Sequence, residues 1–262
     1  MTTTSKPRGA GAVMADRASA AAVDAEDDPR RQLYLDLNYF PTPPWATRAL
    51  MEYVIPFFDG GRVTAEAEPA APLTCWEPAA GEGHMAAVLG EYFDDVYRSD
   101  VHDHGGLHAV GSFVGDGLAL DVVPSPCPSP DWIITNPPFE HALEFALRAL
   151  DVAHTGVALL VRTAWLESET RYLRLFRDRP PSIIAQFAER VPMHLGVWRP
   201  DGGTATAYAW VVWEGSPLDT RFEWIPYGCK KLLTHPDDVR RFGGAGDSPA
   251  GSRPPARVGV GS

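Results

Sequence analysis

The stretch "DWIITNPPFE", residues 131–140, decides how this chain is read. Trp132, Ile133 and Ile134 make a short apolar run of the kind buried inside a sheet. Asn136, Pro137 and Pro138 end it, because proline has no N–H to give to a ladder. Directly after, "EHALEFALRALDVA" (140–153) has apolar residues at helical spacing. A buried strand therefore runs into a helix through a rigid tip of Asn, two prolines and Phe139.

The same alternation extends in both directions. "LTCWEPA" (73–79) is expected to be a buried strand, and "GEGHMAAVLGEYF" (81–93) a helix that starts directly after glycines. "DVYRSD" (95–100) is a second strand ending on an acid. "GVALLVRTAWL" (156–166) is a further strand, and "SETRYLRLFRDR" (168–179) a helix with Ser168 as N-cap. "SIIAQFAERV" (182–191) and "TATAYAWVVWE" (204–214) are late strands, joined by "PMHLGVWRPDGG" through a hairpin or a long connection. Upstream, "PPWATRALMEYVIPFF" (43–58) is a helix entered through prolines, which suit a first turn. Strands alternating with helices predict an α/β fold with a mostly parallel central sheet. Ligands of such sheets bind beyond the carboxyl ends of the strands.

Length and apolar content fit one domain of ordinary size. Residues 1–33 are polar, Ala-rich and unpatterned, so a disordered tail is expected there. Residues 243–262 are Gly/Pro/Ser-rich and are expected to be a second tail. The folded domain is then 34–242. No run of about 18 apolar residues predicts a membrane span, and the N-terminal stretch lacks the long apolar region of a signal peptide. Cys75, Cys127 and Cys229 are odd in number and lack any Cys-x-x-Cys, so neither a disulfide framework nor a structural zinc site is expected. A reducing cytoplasm fits this usage. The net charge is −11 and both tails are close to neutral, so the acid lies in the domain. This excludes a sticky, nonspecific nucleic-acid binder.

Chemistry gathers at the strand ends. Glu77 closes the first strand, Gly81 and Gly83 form the following loop, and Asp100 closes the next strand. The glycines allow a tight turn and close approach to a ligand. The full G-x-G-x-x-G fingerprint is absent, since Ala86 stands at the last glycine position and no phosphate-gripping Lys follows. An acid at the second strand end can accept both hydroxyls of a ribose, and Glu77 can face an ammonium group. Two acids beside a glycine loop suit a cationic nucleoside better than a pyrophosphate.

These residues resemble a family. "EPAAGEG" (77–83) is similar to the first motif of S-adenosylmethionine-dependent methyltransferases that modify exocyclic amines. "NPPF" (136–139) is similar to their Asp/Asn/Ser-Pro-Pro-aromatic catalytic motif. "NYFPTPPWATRALME" (38–52) resembles the segment that precedes the first motif in adenine-N6 DNA methyltransferases and closes over the cofactor. "SDVHDHG" and "GDGLALD" occupy the second and third motif positions. The resemblance spans residues 38–213, and the motif order is that of small phage and prophage enzymes. It implies a Rossmann-like class I methyltransferase fold, with helices on both faces of the sheet. S-adenosylmethionine is the implied cofactor, DNA the implied partner, and methyl transfer to adenine N6 the implied activity. By the same resemblance Thr42 and Pro43 touch the methionine part, and Glu77, Pro78, Ala79, Gly81 and Gly83 line methionine and ribose. Asp100 holds the ribose hydroxyls, Asp116 accepts the cofactor's adenine amine, and Asn136, Pro137, Pro138 and Phe139 form the base pocket. No large target-recognition domain follows the last strand, which keeps RNA adenine and protein glutamine open as substrates. A silent cofactor-binding module is the remaining alternative.

Other candidates are weaker. His102 and His104 flank Asp103 without a further ligand cluster, so no metal is expected and a polar loop near the ribose is the reading. His84 is either a cofactor contact or an ordinary first-turn residue. Arg171, Arg174 and Arg177 share a helix face that either tracks phosphates or is solvated beside its acids. Arg162 and Trp165 end a strand near the pocket and are candidates for substrate binding, as is Arg199 in the Gly-rich loop. Lys230 and Lys231 are alternative phosphate contacts.

Overall fold

Along Gly156–Arg162 six residues in a row are buried and only Arg162 is exposed. A strand without a watery side needs cover on both faces. In the computed structural model, which describes residues 30–55, 72–114, 130–215 and 219–243, that cover is provided by two helical layers. The strands in chain order are β1 Thr74–Glu77, β2 Asp95–Asp100, β3 Ala109–Val110, β4 Trp132–Thr135, β5 Gly156–Arg162, β6 Ile183–Phe187, β7 Tyr208–Glu214 and β8 Arg221–Ile225. They form one sheet in the order β3-β2-β1-β4-β5-β7-β6-β8. β7 runs antiparallel to β5 and β6, and every other pair is parallel. The chain winds outward in both directions from β1 and β4, so the Rossmann-like crevice opens at the carboxyl ends of those two strands.

Side-chain alternation sorts the core into two layers. Cys75, Trp132, Ile134, Ala158, Leu160, Trp210 and Val212 point to one face. There they meet Trp45 and Leu50 of α2 (Pro44–Tyr53), Met85 and Leu89 of α3 (His84–Leu89), and Cys229 of α6 (Cys229–Leu233). Trp76, Ile133, Val157, Leu159, Val161, Val211 and Trp213 point to the other face. They meet Phe145, Ala146 and Ala149 of α4 (Ala142–Val152), and Leu175 in the π-helical turn Tyr172–Phe176 that continues α5 (Glu169–Arg171). The helix α4 buries Ala142, Phe145, Ala146 and Ala149, the i, i+3, i+4, i+7 stripe of a helix lying on a core. Pro44 occupies the first turn of α2, and Trp210 Nε1 donates to the Ala46 carbonyl at 3.0 Å, fastening that helix to β7. Gly156 stands opposite Trp132, and a Cβ there would lie 2.5 Å from the indole.

Several expectations change in detail. The helix after the glycine loop covers only His84–Leu89, because Gly81 and Gly83 both hold positive φ, +52° and +88°. Ser168 is the N-cap expected, its Oγ accepting from the Arg171 N–H at 3.3 Å. The late strands β6 and β7 are antiparallel neighbours joined by the long connection 188–207. A helix, α1 (Arg31–Asp36), crosses the expected boundary between tail and domain at 33/34. Residues 1–29 and 244–262 lie outside the described residues. The strand β8 and the helices α6 and α7 (Asp238–Phe242) were not expected from the pattern.

The C-terminal helices are tied down by a buried ion cluster. Arg48 of α2 is 1% exposed. Its Nε and Nη2 donate to the Glu91 carboxylate at 2.7 and 2.8 Å, and Nη1 and Nη2 to Asp238 at 2.7 and 3.0 Å. Nη1 also donates to the Leu233 carbonyl at 2.8 Å. Every nitrogen of the guanidinium is used.

Candidate active site

A cavity of about 700 Å³ opens at the carboxyl ends of β1, β2 and β4. Its floor is the loop after β1. The Gly81 N–H donates to Asp100 Oδ2 at 2.8 Å and the His102 N–H to Oδ1 at 3.1 Å. The loop is thereby drawn to the end of β2, and Asp100 is held at the cavity wall. Glu77 is 2% exposed, and its Oε2 has no hydrogen-bond partner among the described residues. Burial pushes its carboxyl well above the usual carboxylate range. Asp100 adds to the rise, and an Ala86 N–H and Arg98 oppose it. A buried acid with an open oxygen is poised to meet a cation.

The segment Leu35–Thr42 roofs this cavity. Tyr39 lies so close over the glycine loop that a Cβ on Gly81 would sit 2.3 Å from its ring. The Tyr39 ring also packs on Tyr34 and His104, each at 5.3 Å between centroids. Its hydroxyl sits 3.4 Å from His84 Nδ1 and accepts from the Glu82 N–H at 3.4 Å. His84 Nε2 lies 3.2 Å from the Phe242 carbonyl. A carbonyl only accepts, so Nε2 carries the proton and Nδ1 takes the tyrosine O–H. Burial lowers the His84 pKa, which favours that neutral form. His84 is therefore a cavity residue that ties the roof to α7, rather than a plain first-turn residue.

Asn136 lines the same cavity, at the tip that follows β4. Its Nδ2 donates to the Phe40 carbonyl at 3.0 Å and points at Met193 Sδ at 3.8 Å. That bond decides the orientation of the amide, since only the NH₂ can donate to a carbonyl. Asn136 Oδ1 is buried and has no partner among the described residues. Pro138 (φ −52°, ψ 130°) stays extended, and Phe139 begins a 3-10 turn, Phe139–His141, leading into α4. The Phe139 ring contacts Phe40 at 5.4 Å, and the Arg162 guanidinium lies over it at 3.8 Å.

Thr42, Glu77, Pro78, Ala79, Asp100, Asn136 and Pro138 thus line one cavity. Pro43 is buried as the N-cap of α2. Gly81 lies behind Tyr39, and Gly83 faces Arg98. Pro137 is buried at the tip and Phe139 packs beside the cavity, whose wall includes neither. Asp116 lies outside the described residues. Arg162 is exposed at the end of β5. Trp165 is 8% exposed and meets Phe176 edge-on at 5.4 Å, so it is a core residue of the α4 layer and lies outside the cavity wall. Arg199 sits in the β6–β7 connection beside His194, whose pKa falls through burial and then through this charge. Arg174 and Arg177 pair with Glu144 and Asp178 at 3.1 and 2.8 Å, whereas Arg171, the third residue of that face, donates to the Trp165 and Glu167 carbonyls; Arg179 pairs with Asp151 at 2.6 Å. His102 and His104 pack edge-to-face at 4.8 Å, and no group of three or more potential ligands forms a metal site among the described residues. Tyr39, Phe40 and Met193 are site residues that the sequence did not single out. The first two lie within the quoted "NYFPTPP", whereas nothing local marks Met193.

No protein-family model matches the chain, and no curated protein matches it. Solved structures similar to it include the type I restriction-modification methyltransferase subunit of Streptococcus thermophilus, at 11% identity and TM-score 0.49, covering 71% of this chain and 47% of that one. A class I S-adenosylmethionine-dependent methyltransferase described as putative, from Listeria monocytogenes, aligns at 14% identity and TM-score 0.44, over 76% and 68%. A modification subunit of a type I restriction enzyme, also described as putative, from Vibrio vulnificus aligns at 15% and 0.44, over 78% and 51%. The chain spans about half the length of the first and third.

Proposed function

We propose that this protein transfers a methyl group from S-adenosylmethionine to the exocyclic N6 amine of adenine in DNA. One observation carries the reading: Asn136 Oδ1 on a Pro-Pro tip and Glu77 Oε2 at the end of the neighbouring strand, both buried and without a hydrogen-bond partner among the described residues, belong to residues that line one cavity. A volume of about 700 Å³ is within the usual range for a cofactor-sized ligand. Glu77 Oε2 suits the ammonium of the methionine part. The Asp100 oxygens each keep a lone pair for a ribose hydroxyl after accepting from Gly81 and His102. Thr42 and Pro43 close the methionine end, and Asp116 is assigned to the cofactor's adenine amine. When bound, the sulfonium supplies an activated methyl group and a good leaving group.

The chain's own part is to prepare the amine. An adenine N6 is a poor nucleophile because its lone pair is delocalised into the ring. Asn136 Oδ1 accepts one N6 proton and the Pro137 carbonyl the other, which localises the lone pair toward the methyl group. The prolines and the Phe40 bond hold these acceptors before the base arrives, so little reorganisation remains. Once the methyl is on nitrogen, one N6 proton leaves to water. The base must leave its stack to reach this wall. Stacking on Phe139 adds about 1–3 kcal/mol, and a base there takes the place of the Arg162 guanidinium.

RNA adenine and protein glutamine present the same planar amine. DNA is chosen on the segment 38–52 and on the order of the motifs. Incubation with labelled methyl donor and separate DNA, RNA and protein pools tests the choice. Label is expected in DNA. Label confined to RNA or protein overturns the substrate, and cofactor binding with no label in any pool leaves a silent binding module.

Glu77→Gln gives a paired prediction. The folded pKa of Glu77 is raised, so its favourable contribution is complete below the ordinary glutamate range of about 4.3 and is lost as pH rises through the folded value. The amide escapes that loss. The cofactor-free variant should melt a few degrees above wild type at neutral and alkaline pH, at about 2–4 °C per kcal/mol. Removing the charge opposite the ammonium should weaken cofactor binding about tenfold or more. Thermal melts across pH and calorimetric titration check both halves, and a variant that melts lower yet binds cofactor as well as wild type contradicts the assignment.

A further inference from the structure

We propose that Arg162 selects the substrate of this site: its guanidinium covers the Phe139 face until a nucleotide arrives, and then binds that nucleotide's phosphate. This rests on the adenine reading above and narrows it to a base that brings its phosphodiester with it. The Arg162 guanidinium lies over the Phe139 ring at 3.8 Å, on the aromatic assigned to the target base. Arg162 is in register with Tyr208 of β7. Ala158 and Leu160 point to the α2 face of the sheet, so by alternation Arg162 points there too, beside Tyr208. The Tyr208 ring is 6.4 Å from that of Phe139. Burial raises the Tyr208 pKa, and a hydrogen bond from Arg162 opposes the rise.

The base slot is closed as it stands. Asn136 Oδ1, the acceptor assigned to the amine, is buried. A base that stacks on Phe139 and reaches that oxygen must therefore displace a side chain. Of the residues that meet Phe139 and Asn136, Phe40 is held through its carbonyl by Asn136 Nδ2 at 3.0 Å. Met193 and Tyr208 are only 8% and 4% exposed. Arg162 is exposed, long and flexible. A guanidinium on an aromatic face at an exposed site is held weakly, and a stacking base offers that face at least as much. The cover is soft at Arg162 and firm elsewhere.

Displacement leaves a cation in need of a partner. Among the described residues no carboxylate pairs with Arg162, whereas Arg174, Arg177 and Arg179 each have one, in a chain of net charge −11. A guanidinium driven off an aromatic face gains most from an anion that arrives with the base. A nucleotide supplies both: its base takes Phe139, and its phosphate takes the planar N–H fork. A glutamine side chain or a nucleoside presents the amine without an anion, so it displaces Arg162 and gives it nothing in return. Arg162 thus acts in opposite senses, excluding neutral amines and holding those that carry a phosphate.

The test uses two trinucleotides that carry 2-aminopurine, a fluorescent adenine isomer, between two thymines. One has phosphodiester linkages and the other neutral methylphosphonate linkages. The change in 2-aminopurine emission on titration with the full chain reads stacking in the slot. Wild type should bind the charged trinucleotide about tenfold more tightly than the neutral one. Arg162→Ala should lose that preference, and should bind the neutral trinucleotide about two- to fivefold more tightly than wild type does, because the cover is gone. Arg162→Lys keeps the charge without the planar fork, so it should retain part of the preference. Wild type that binds neither trinucleotide, or binds both equally, overturns the proposal. So does an Arg162→Ala variant that keeps the full preference, or that loses affinity for both in equal proportion. Because binding is read without catalysis, the two readings fail separately. The expected pattern with no methylation of any nucleic acid by wild type supports the role of Arg162 and removes the proposed activity. Adenine methylation without the pattern does the reverse.

Discussion

Asn136→Ala is expected to slow methyl transfer to adenine by at least about 10²–10³-fold, the usual cost of removing one preorganised polar contact at a reacting centre. The loss should fall on kcat, because the Oδ1 contact matters most as the lone pair turns toward the methyl group. Cofactor binding should persist, since Glu77 and Asp100 are supplied by β1 and β2 and not by the tip after β4. The substitution also strips the Phe40 carbonyl of its donor, so the roof should loosen and the melting temperature should fall slightly. Initial rates, equilibrium cofactor binding and a thermal melt together separate these effects. Full activity in Asn136→Ala removes the amide from the mechanism.

The second large effect concerns stability. Arg48→Met should cost about 3–5 kcal/mol, because it leaves a buried carboxylate without its partner. Asp238 is fully buried, and without Arg48 its carboxylate keeps, among the described residues, only the His235 N–H at 2.8 Å. At about 2–4 °C per kcal/mol the melting temperature falls by roughly 10 °C. Adding Asp238→Leu should recover part of the loss, since an apolar pair replaces a buried ion pair at little cost. A double variant as unstable as Arg48→Met alone would mean that the cluster stabilises by some route other than charge pairing.

Much of the centre of the fold was legible because its signals are local. The apolar run of β5 is buried on both faces, and the double proline ends β4 at the tip. Glu77 and Asp100 were readable as acids at strand ends, and both line the cavity. What stayed hidden depends on contacts between distant residues. That Tyr39 would lie on Gly81 follows from how the segment before α2 folds back over the loop, which no window of sequence encodes. Met193 reaches Asn136 only through the long β6–β7 connection. Trp165 sits at the end of a strand aimed at the pocket, but the 3-10 turn Thr163–Leu166 rotates it into the core. The strand β8 inverts the usual pattern, turning Phe222 and Trp224 to solvent and Glu223 to the half-buried side. An alternating pattern of that kind tells the face, not which face is covered.

The central claim is that the Asn136 wall holds an adenine amine. Its most direct test is mass spectrometry of nucleosides from DNA incubated with the protein and a methyl donor bearing a deuterated methyl group. The account predicts labelled N6-methyladenine that disappears when donor is omitted. Cofactor-dependent label found on cytosine, or absent from DNA while present in another pool, would contradict it.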